Sequence, residues 1–521
     1  MPTDVTDVDV LVIGGGVNGV GIAMDAAGRG LTVALCEMHD LASATSSNSS
    51  KLIHGGLRYL EHYEFSLVRK ALAEREVLLA GAPHIMWPLR FRLPHQPHLR
   101  PAWMLRIGLY LYDHLAKRKH LPRSHSLRFN ANSPLKNTMK MGFEYSDGWV
   151  DDARLVVLCA MAARQHGAEI KPRTRCIQAT REQGAWHVTL ENTDTHINAG
   201  TEAVKQKYAC AKQEHYRAKV LINAAGPWAS SLFNDVITQP APQQLRLVKG
   251  SHIVVPRLHD EPHAYILQHT DNRIVFVIPY EQQFSLIGTT DVDYHGDPAH
   301  VAIDATEVDY LCQVVNAHFK QQICPNDIVW SYSGVRPLVE EDNTQGDAQT
   351  TSRDYTFTLD APKGAAPLLS VFGGKLTTYR LLSEAVTDAI SPYFPHATGP
   401  WTKTATLPGG DFISQPALIA EWRQQYPWLS HAILQRWARS YGRLCQHFLH
   451  DCQSLAALGE DFGAGLYQQE VDYLIAEEWA YNAEDILWRR TKLGLVFNAE
   501  QQARLQQYVQ TRRLQNSVSI N

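Results

Sequence analysis

Gly14, Gly16 and Gly19 stand in GxGxxG spacing within "VDVLVIGGGVNGVGIAMDAAGRGLTVALCE", and Glu37 follows about 20 residues on. Gly14 permits a tight turn, Gly16 lets a pyrophosphate approach the backbone, and Gly19 lets a helix lie close to a strand. The amides that open that helix favour bound phosphate. Glu37 is placed to accept from a ribose hydroxyl pair, and its charge disfavours a 2′-phosphate. This is the chemistry of a dinucleotide site, and the motif alone does not separate FAD from NAD. Close behind, "SSKLIHGGLRYLE" gathers Lys51, His54, Arg58 and Tyr59 around two glycines, after the hydroxyl-rich run "SATSSNSS". Cations, hydroxyls and glycines at that density suit an anion.

The elements that must position these residues follow from periodicity. Val8 to Ile13 is a continuous apolar run, suited to a strand buried on both faces. Ile22, Ala26 and Ala27 continue at helical spacing, Gly28 and Gly30 end the helix, and Leu31 to Leu35 starts a second buried strand. "VLINAAGPWAS" is another apolar strand ending in small residues, where Ala224, Ala225 and Gly226 let backbone lie against a flat cofactor. Taken alone, it also reads as an ordinary strand-to-turn junction.

With 521 residues the chain calls for two domains or three lobes. A formal net charge of −4 argues against a dedicated nucleic-acid binder. The eight cysteines are scattered, with no CxxC pair and no zinc spacing, so a reduced compartment and no structural metal are expected. The acidic start "MPTDVTDVDV" does not read as a signal peptide, and no apolar run is long enough for a transmembrane helix. No GxSxG or Ser/His/Asp spacing suggests a nucleophilic serine.

The segments "VIGGGVNGVGIAMDAAGRGL", "ATSSNSSKLIHGGLRYLEHYEF", "ALAEREVLL", "GFEYSDGWVDDARL", "LVKGSHIVVPR", "IVFVIP", "IGTTDVDY", "YSGVRPL" and "SVFGGKLTTYR" occur in that order. So ordered, and extended by "LGEDFG" and "LWRRTKLG", they resemble the aerobic, FAD-dependent glycerol-3-phosphate dehydrogenases of the bacterial respiratory chain over most of the chain. The departure is "TDTHINAGTEAVKQKYACAKQEHY", residues 193–216, longer and more polar than that resemblance implies and read as a surface insertion. The resemblance implies oxidation of sn-glycerol 3-phosphate to dihydroxyacetone phosphate, with FAD as cofactor and ubiquinone in the membrane as acceptor. It also implies a homodimer held peripherally at the cytoplasmic side of the inner membrane.

That reaction needs a clamp for a dianion, a proton acceptor and a C2 hydride aimed at the flavin. Arg58 and Tyr59 fit the clamp, Lys375 in "GGKLTT" adds a compact cation, and Thr377 or Thr378 adds hydroxyls. Arg353 is an alternative phosphate ligand. Arg336 would stabilise the developing oxygen charge at C2. His252 is the candidate general base, against a reading as a satisfied structural histidine at a strand start. Thr45, Ser46, Ser50, Lys51 and Leu52 are expected near the cofactor, with Gly226, Gly374, Lys375, Leu376 and Thr377 across from them. His54 either touches the flavin or caps its loop. Two rivals stay open: an oxidase that passes electrons to oxygen, and a flavin-bearing sensor without turnover.

From Pro83 to Lys140 the chain is basic, with Asp113 as its one acid, and encloses "PAWMLRIGLYLYDHLAKRKH". Trp103, Met104, Leu105, Ile107, Leu109, Tyr110 and Leu111 beside Lys117 to His120 suit the headgroup layer of an anionic membrane. An internal helix with a solvated basic face is the competing reading, and nothing resembles a nucleic-acid module. The expected fold is α/β: a Rossmann-type FAD domain from residues 5–83, 145–230 and 355–395, then an antiparallel-sheet substrate domain from 84–144 and 231–354. A helical C-terminal domain is expected over 405–521, where "ALIAEWRQQY", "HAILQRWARSYG", "EVDYLIAEEWA" and "NAEQQARLQQYVQTRR" carry helical periodicity.

Overall fold

The structure is a computed structural model that describes residues 5–96, 100–119, 121–193, 213–269, 271, 273–288, 290–339 and 355–518. Two sheets carry the first four hundred residues. The first has eight strands, and its path runs Tyr355–Asp360, Leu368–Gly373, Gln213–Asn223, Val5–Ile13, Val33–Cys36, Glu169–Lys171. All neighbours along that path pair in parallel except the edge strand Tyr355–Asp360. Every side chain from Val8 to Ile13 is buried, as a strand covered on both faces requires. Register sets Val10 beside Val220 and Ile13 beside Asn223, so two strand ends meet at the first glycine turn.

The helix Val17–Gly28 leaves that turn. Gly19 has no room for a side chain: a Cβ there would lie 1.9 Å from the Gly14 carbonyl oxygen. The helix packs against Asp152–Gln165 and Tyr379–Ile390, which sandwich it over the parallel sheet. It is buried almost all round, so its amphipathic signal is weak.

The second sheet has ten mostly antiparallel strands. Its long members include Leu245–Pro256, Ile274–Tyr280, Phe284–Gly288 and Trp330–Val339, the β-rich runs of the sequence. Leu52–Ile53 and Met141–Val150 also belong to it, so the chain crosses between the sheets immediately after the serine-rich loop. Apolar clusters fill both of its faces.

Residues 405–518 are mainly helical, with helices at Gln415–Gln425, His431–Ser440, Gln468–Glu477 and Ala499–Val518. Trp422, Trp437 and Tyr441 from this part share one apolar core with Val10, Ile22 and Val156 of the parallel-sheet layer. No helix among the described residues is long and apolar enough to cross a membrane. The segment 194–212, most of the expected insertion, lies outside the described residues.

Candidate active site

Where the two sheets meet, a cavity of about 510 Å³ is lined by residues of both, Glu37, His252 and Lys375 among them. The glycine turn forms its floor. Gly14 sits at φ +117°, and a Cβ on it would lie 2.5 Å from the Ala224 carbonyl oxygen, so only glycine closes this junction. The Ser46 hydroxyl accepts from the Val17 amide at 3.0 Å, placing a second loop over the helix start.

Beside the turn Glu37 accepts from the Gly15 amide at 2.7 Å and the His39 amide at 2.8 Å. Burial pushes its carboxyl above the usual range, and these two amides work against that. Asn18 donates to the Gly373 carbonyl at 3.2 Å, while its Oδ1 is buried with no hydrogen-bond partner among the described residues. The glycine floor, the acid beyond it and an unspent acceptor on the wall together fit an elongated dinucleotide such as FAD.

Thr45, Ser46, Ser50, Leu52, His54, Gly226, Gly374, Lys375, Leu376 and Thr377 all line the cavity, as do Gly14, Gly16 and Glu37. Gly19 lies behind the turn as a packing residue. Thr45 donates to the Val335 carbonyl at 2.7 Å, tying the serine-rich loop to the second sheet. Thr377 Oγ1 accepts from the His54 amide at 3.3 Å, which joins the "IHGG" loop to "GGKLTT" across 323 positions. Lys51 does not line the cavity. Its ammonium donates to Asp152 at 2.7 Å and to the Ser47 carbonyl at 2.9 Å, fully inside the protein.

Residues from four further segments add charged and titratable groups to the lining. Lys375 Nζ lies 3.9 Å from the centre of the Tyr59 ring, a cation–π contact. Arg336, partly exposed to the cavity, pairs with Asp291 and reaches the Thr290 carbonyl at 3.5 Å. His252 is buried, stacks on Tyr332 at 4.8 Å, and shares a 2.9 Å hydrogen bond between Nε2 and Ser50 Oγ. Its Nδ1 is buried with no hydrogen-bond partner among the described residues. Burial first, then the nearby Arg336 and Lys51 charges, hold the ring far below the ordinary imidazole value, so it is neutral at neutral pH.

Arg58 is half-buried beside Tyr59 on the short turn Leu57–His62, and is not among the lining residues. Thr378 is buried outside the wall with an unpartnered Oγ1. Arg353 lies outside the described residues. Sequence reasoning missed Asn18, Trp228 and Arg175, which line the cavity. It also missed Asp291, the partner of Arg336, though "GTTDVDY" was already among the recognised segments. Among the described residues no group of acids, cysteines or histidines could hold a metal ion.

Comparison with known proteins agrees with this geometry. The family described as FAD dependent oxidoreductase matches residues 9–380, and the C-terminal domain of alpha-glycerophosphate oxidase matches residues 400–511. The chain is 56% identical over 504 residues to a glycerol-3-phosphate dehydrogenase of Pseudomonas aeruginosa, covering 96% of this chain and 95% of that one. It is 53% identical over 502 residues to the aerobic glycerol-3-phosphate dehydrogenase of Escherichia coli, covering 96% and 97%. The crystal structure of the Bacillus halodurans glycerol-3-phosphate dehydrogenase complexed with FAD superposes with a TM-score of 0.70 at 25% identity, covering 97% of this chain and 94% of that one. The glycine turn, the two-sheet frame and this near full-length identity place the chain in the FAD-dependent oxidoreductase family, among the glycerol-3-phosphate dehydrogenases.

Proposed function

We propose that the protein oxidises sn-glycerol 3-phosphate to dihydroxyacetone phosphate and passes the electrons to a membrane quinone. One observation carries the reading: Tyr59, His252, Arg336 and Lys375, far apart in sequence, line one and the same cavity. Lys375 and Tyr59 supply the phosphate clamp, with Arg58 adjoining on the same turn. Arg336, braced by Asp291, faces the oxygen at C2 and stabilises the charge that develops there. His252, held neutral, takes the hydroxyl proton. Bound FAD supplies the two-electron acceptor. The glycine turn and Glu37 hold its nucleotide portion, while Ser50, His54 and Lys375 lie at the other end, against the substrate.

The helix Ala102–His114 turns Trp103, Ile107 and Tyr110 outward, at 63%, 52% and 58% exposure, and Lys117, Lys119 and Arg123 beyond it are exposed too. We read this face as the contact with an anionic lipid surface, where a quinone would be reached. The cytoplasmic side and a homodimer rest on the family resemblance. Anaerobic addition of glycerol 3-phosphate to the purified flavoprotein tests the activity: the visible flavin band should bleach. Reoxidation by a quinone analogue much faster than by air identifies a dehydrogenase, and the reverse order an oxidase. A flavin that stays oxidised under saturating substrate would overturn the proposal.

A further inference from the structure

The segment "DILWRR", Asp485–Arg490, forms a short π-helical turn in the C-terminal part. Its two arginines converge on Asp40, about 450 positions away. Arg490 makes a two-pronged contact with Asp40, at 2.7 and 2.8 Å, and Arg489 Nε adds a third hydrogen bond at 2.5 Å. Asp40 and Arg490 are each 1% exposed. Asp40 anchors a loop of which Glu37, Met38, His39, Ala42 and Ser43 line the cavity, while Asp40 and Leu41 do not. The loop folds back on the glycine turn through the Ala42 amide, 3.1 Å from the Gly15 carbonyl. Beside this loop, and joined to it by the Arg173 amide 2.7 Å from the His39 carbonyl, Arg173 grips Asp485 at 2.8 and 2.9 Å, just before the lining residues Thr174, Arg175 and Cys176. One turn of the C-terminal part thus fastens two adjoining segments of the cavity lining, the one that carries Glu37 and the one that carries Thr174 to Cys176. None of these contacts touches the substrate end.

We propose that Arg489 and Arg490 are positioning residues for the nucleotide half of the cofactor, and that the C-terminal domain sets how tightly FAD is held. The proposal rests on the reading that Glu37 marks the ribose end of the site. Charge supports it. Asp40 adds to the burial that raises the neighbouring Glu37 carboxyl, and the two guanidinium groups outweigh burial at Asp40 and hold its own carboxyl below the usual range, so the loop's fixed charge depends on them. A buried aspartate stripped of its partner would also drag the loop toward solvent.

The test is equilibrium binding to the full-length protein freed of flavin, with FAD, ADP and FMN as probes. R490Q should weaken FAD and ADP by about tenfold or more, the size expected when an outer contact that orients a ligand-holding group is lost. FMN, which lacks the adenosine, should bind R490Q as it binds the parent protein. A purely structural role would weaken FAD and FMN in parallel, and that result would overturn the proposal, as would unchanged ADP binding. R489Q, whose side chain is 11% exposed and leaves the Arg490–Asp40 pair in place, decides the matter if R490Q does not fold. E37Q is measured beside them. If it weakens ADP and both arginine variants do not, the clamp alone is wrong. If all three bind ADP normally, the reading of the nucleotide end falls with it.

Discussion

The Lys51 ammonium and the Asp152 carboxylate lie 2.7 Å apart with almost no access to solvent. Asp152 also accepts from the Ser49 hydroxyl at 2.7 Å and from the Ala153 amide at 2.9 Å, so the pair ties the serine-rich loop to the start of the helix Asp152–Gln165. Removing one partner of such a pair leaves a buried charge and costs about 3–5 kcal/mol. Lys51→Met should therefore lower the thermal unfolding midpoint of the protein with and without flavin. A variant that unfolds normally but loses only FAD would show that the ammonium serves the cofactor instead. His252 makes a kinetic prediction. Its imidazole is kept far below its ordinary value by burial and by the Arg336 and Lys51 charges, so it stays ready to accept a proton well into acid. The limiting rate of flavin reduction at saturating substrate should hold level as the pH drops past 6.5 and fall only below it. His252→Gln should retain FAD and slow reduction by about 10²–10⁴-fold. An acid limb at or above 6.5, or unchanged reduction in the variant, would remove His252 as the base.

The helix Ala102–His114 joins two environments. Its inner face holds Tyr112, whose hydroxyl accepts from the Gly55 amide at 2.8 Å and donates to buried Asp147. Its outer face carries Trp103, Met104, Ile107, Tyr110 and Leu111, all exposed and at the spacing of one helical stripe. Replacing Trp103 and Ile107 by Ser should cost little stability, because neither is buried, yet should abolish co-sedimentation with vesicles containing anionic phospholipid. Unaltered vesicle binding would show that another surface makes the contact. This helix was legible in the sequence, as were the glycine turn and the β-rich runs, because each is written in a short window. Much of the surrounding basic stretch reads differently in three dimensions. Arg90 and Arg92 share Glu144, and Arg118 pairs with Asp113, so these cations are spent inside the protein. Composition counts charges and cannot say which are already paired. The same limit hid Lys51: among cations and serines it looks like a cofactor ligand, and its partner is 101 positions away.

At the scale of the whole molecule, the C-terminal helices are joined to the parallel-sheet layer by a shared core and by buried ion pairs such as Arg154 with Glu478. A link between chain segments hundreds of positions apart leaves no local pattern, which is why the sequence showed a helical domain but not what it holds in place. His84 lies in this junction. Its ring packs edge-on to Phe412 at 6.2 Å, its carbonyl accepts from Gln415 at 2.9 Å, and the residue is fully buried. Burial, aided by the Arg154 charge, pushes its pKa down to about 3. The unfolded chain binds a proton on this ring near 6.5 and the folded protein does not, so stability is complete above 6.5 and is lost as the pH falls toward 3. At about 1.36 kcal/mol per unit of separation, the accumulated loss is roughly 4–5 kcal/mol, enough to loosen the C-terminal part in acid. His84→Leu fills a similar space with nothing to protonate. It should leave the neutral-pH melting temperature equal or higher and move the midpoint of acid unfolding, followed by circular dichroism, to lower pH. If the acid midpoint does not move, His84 is not what makes the junction acid-labile.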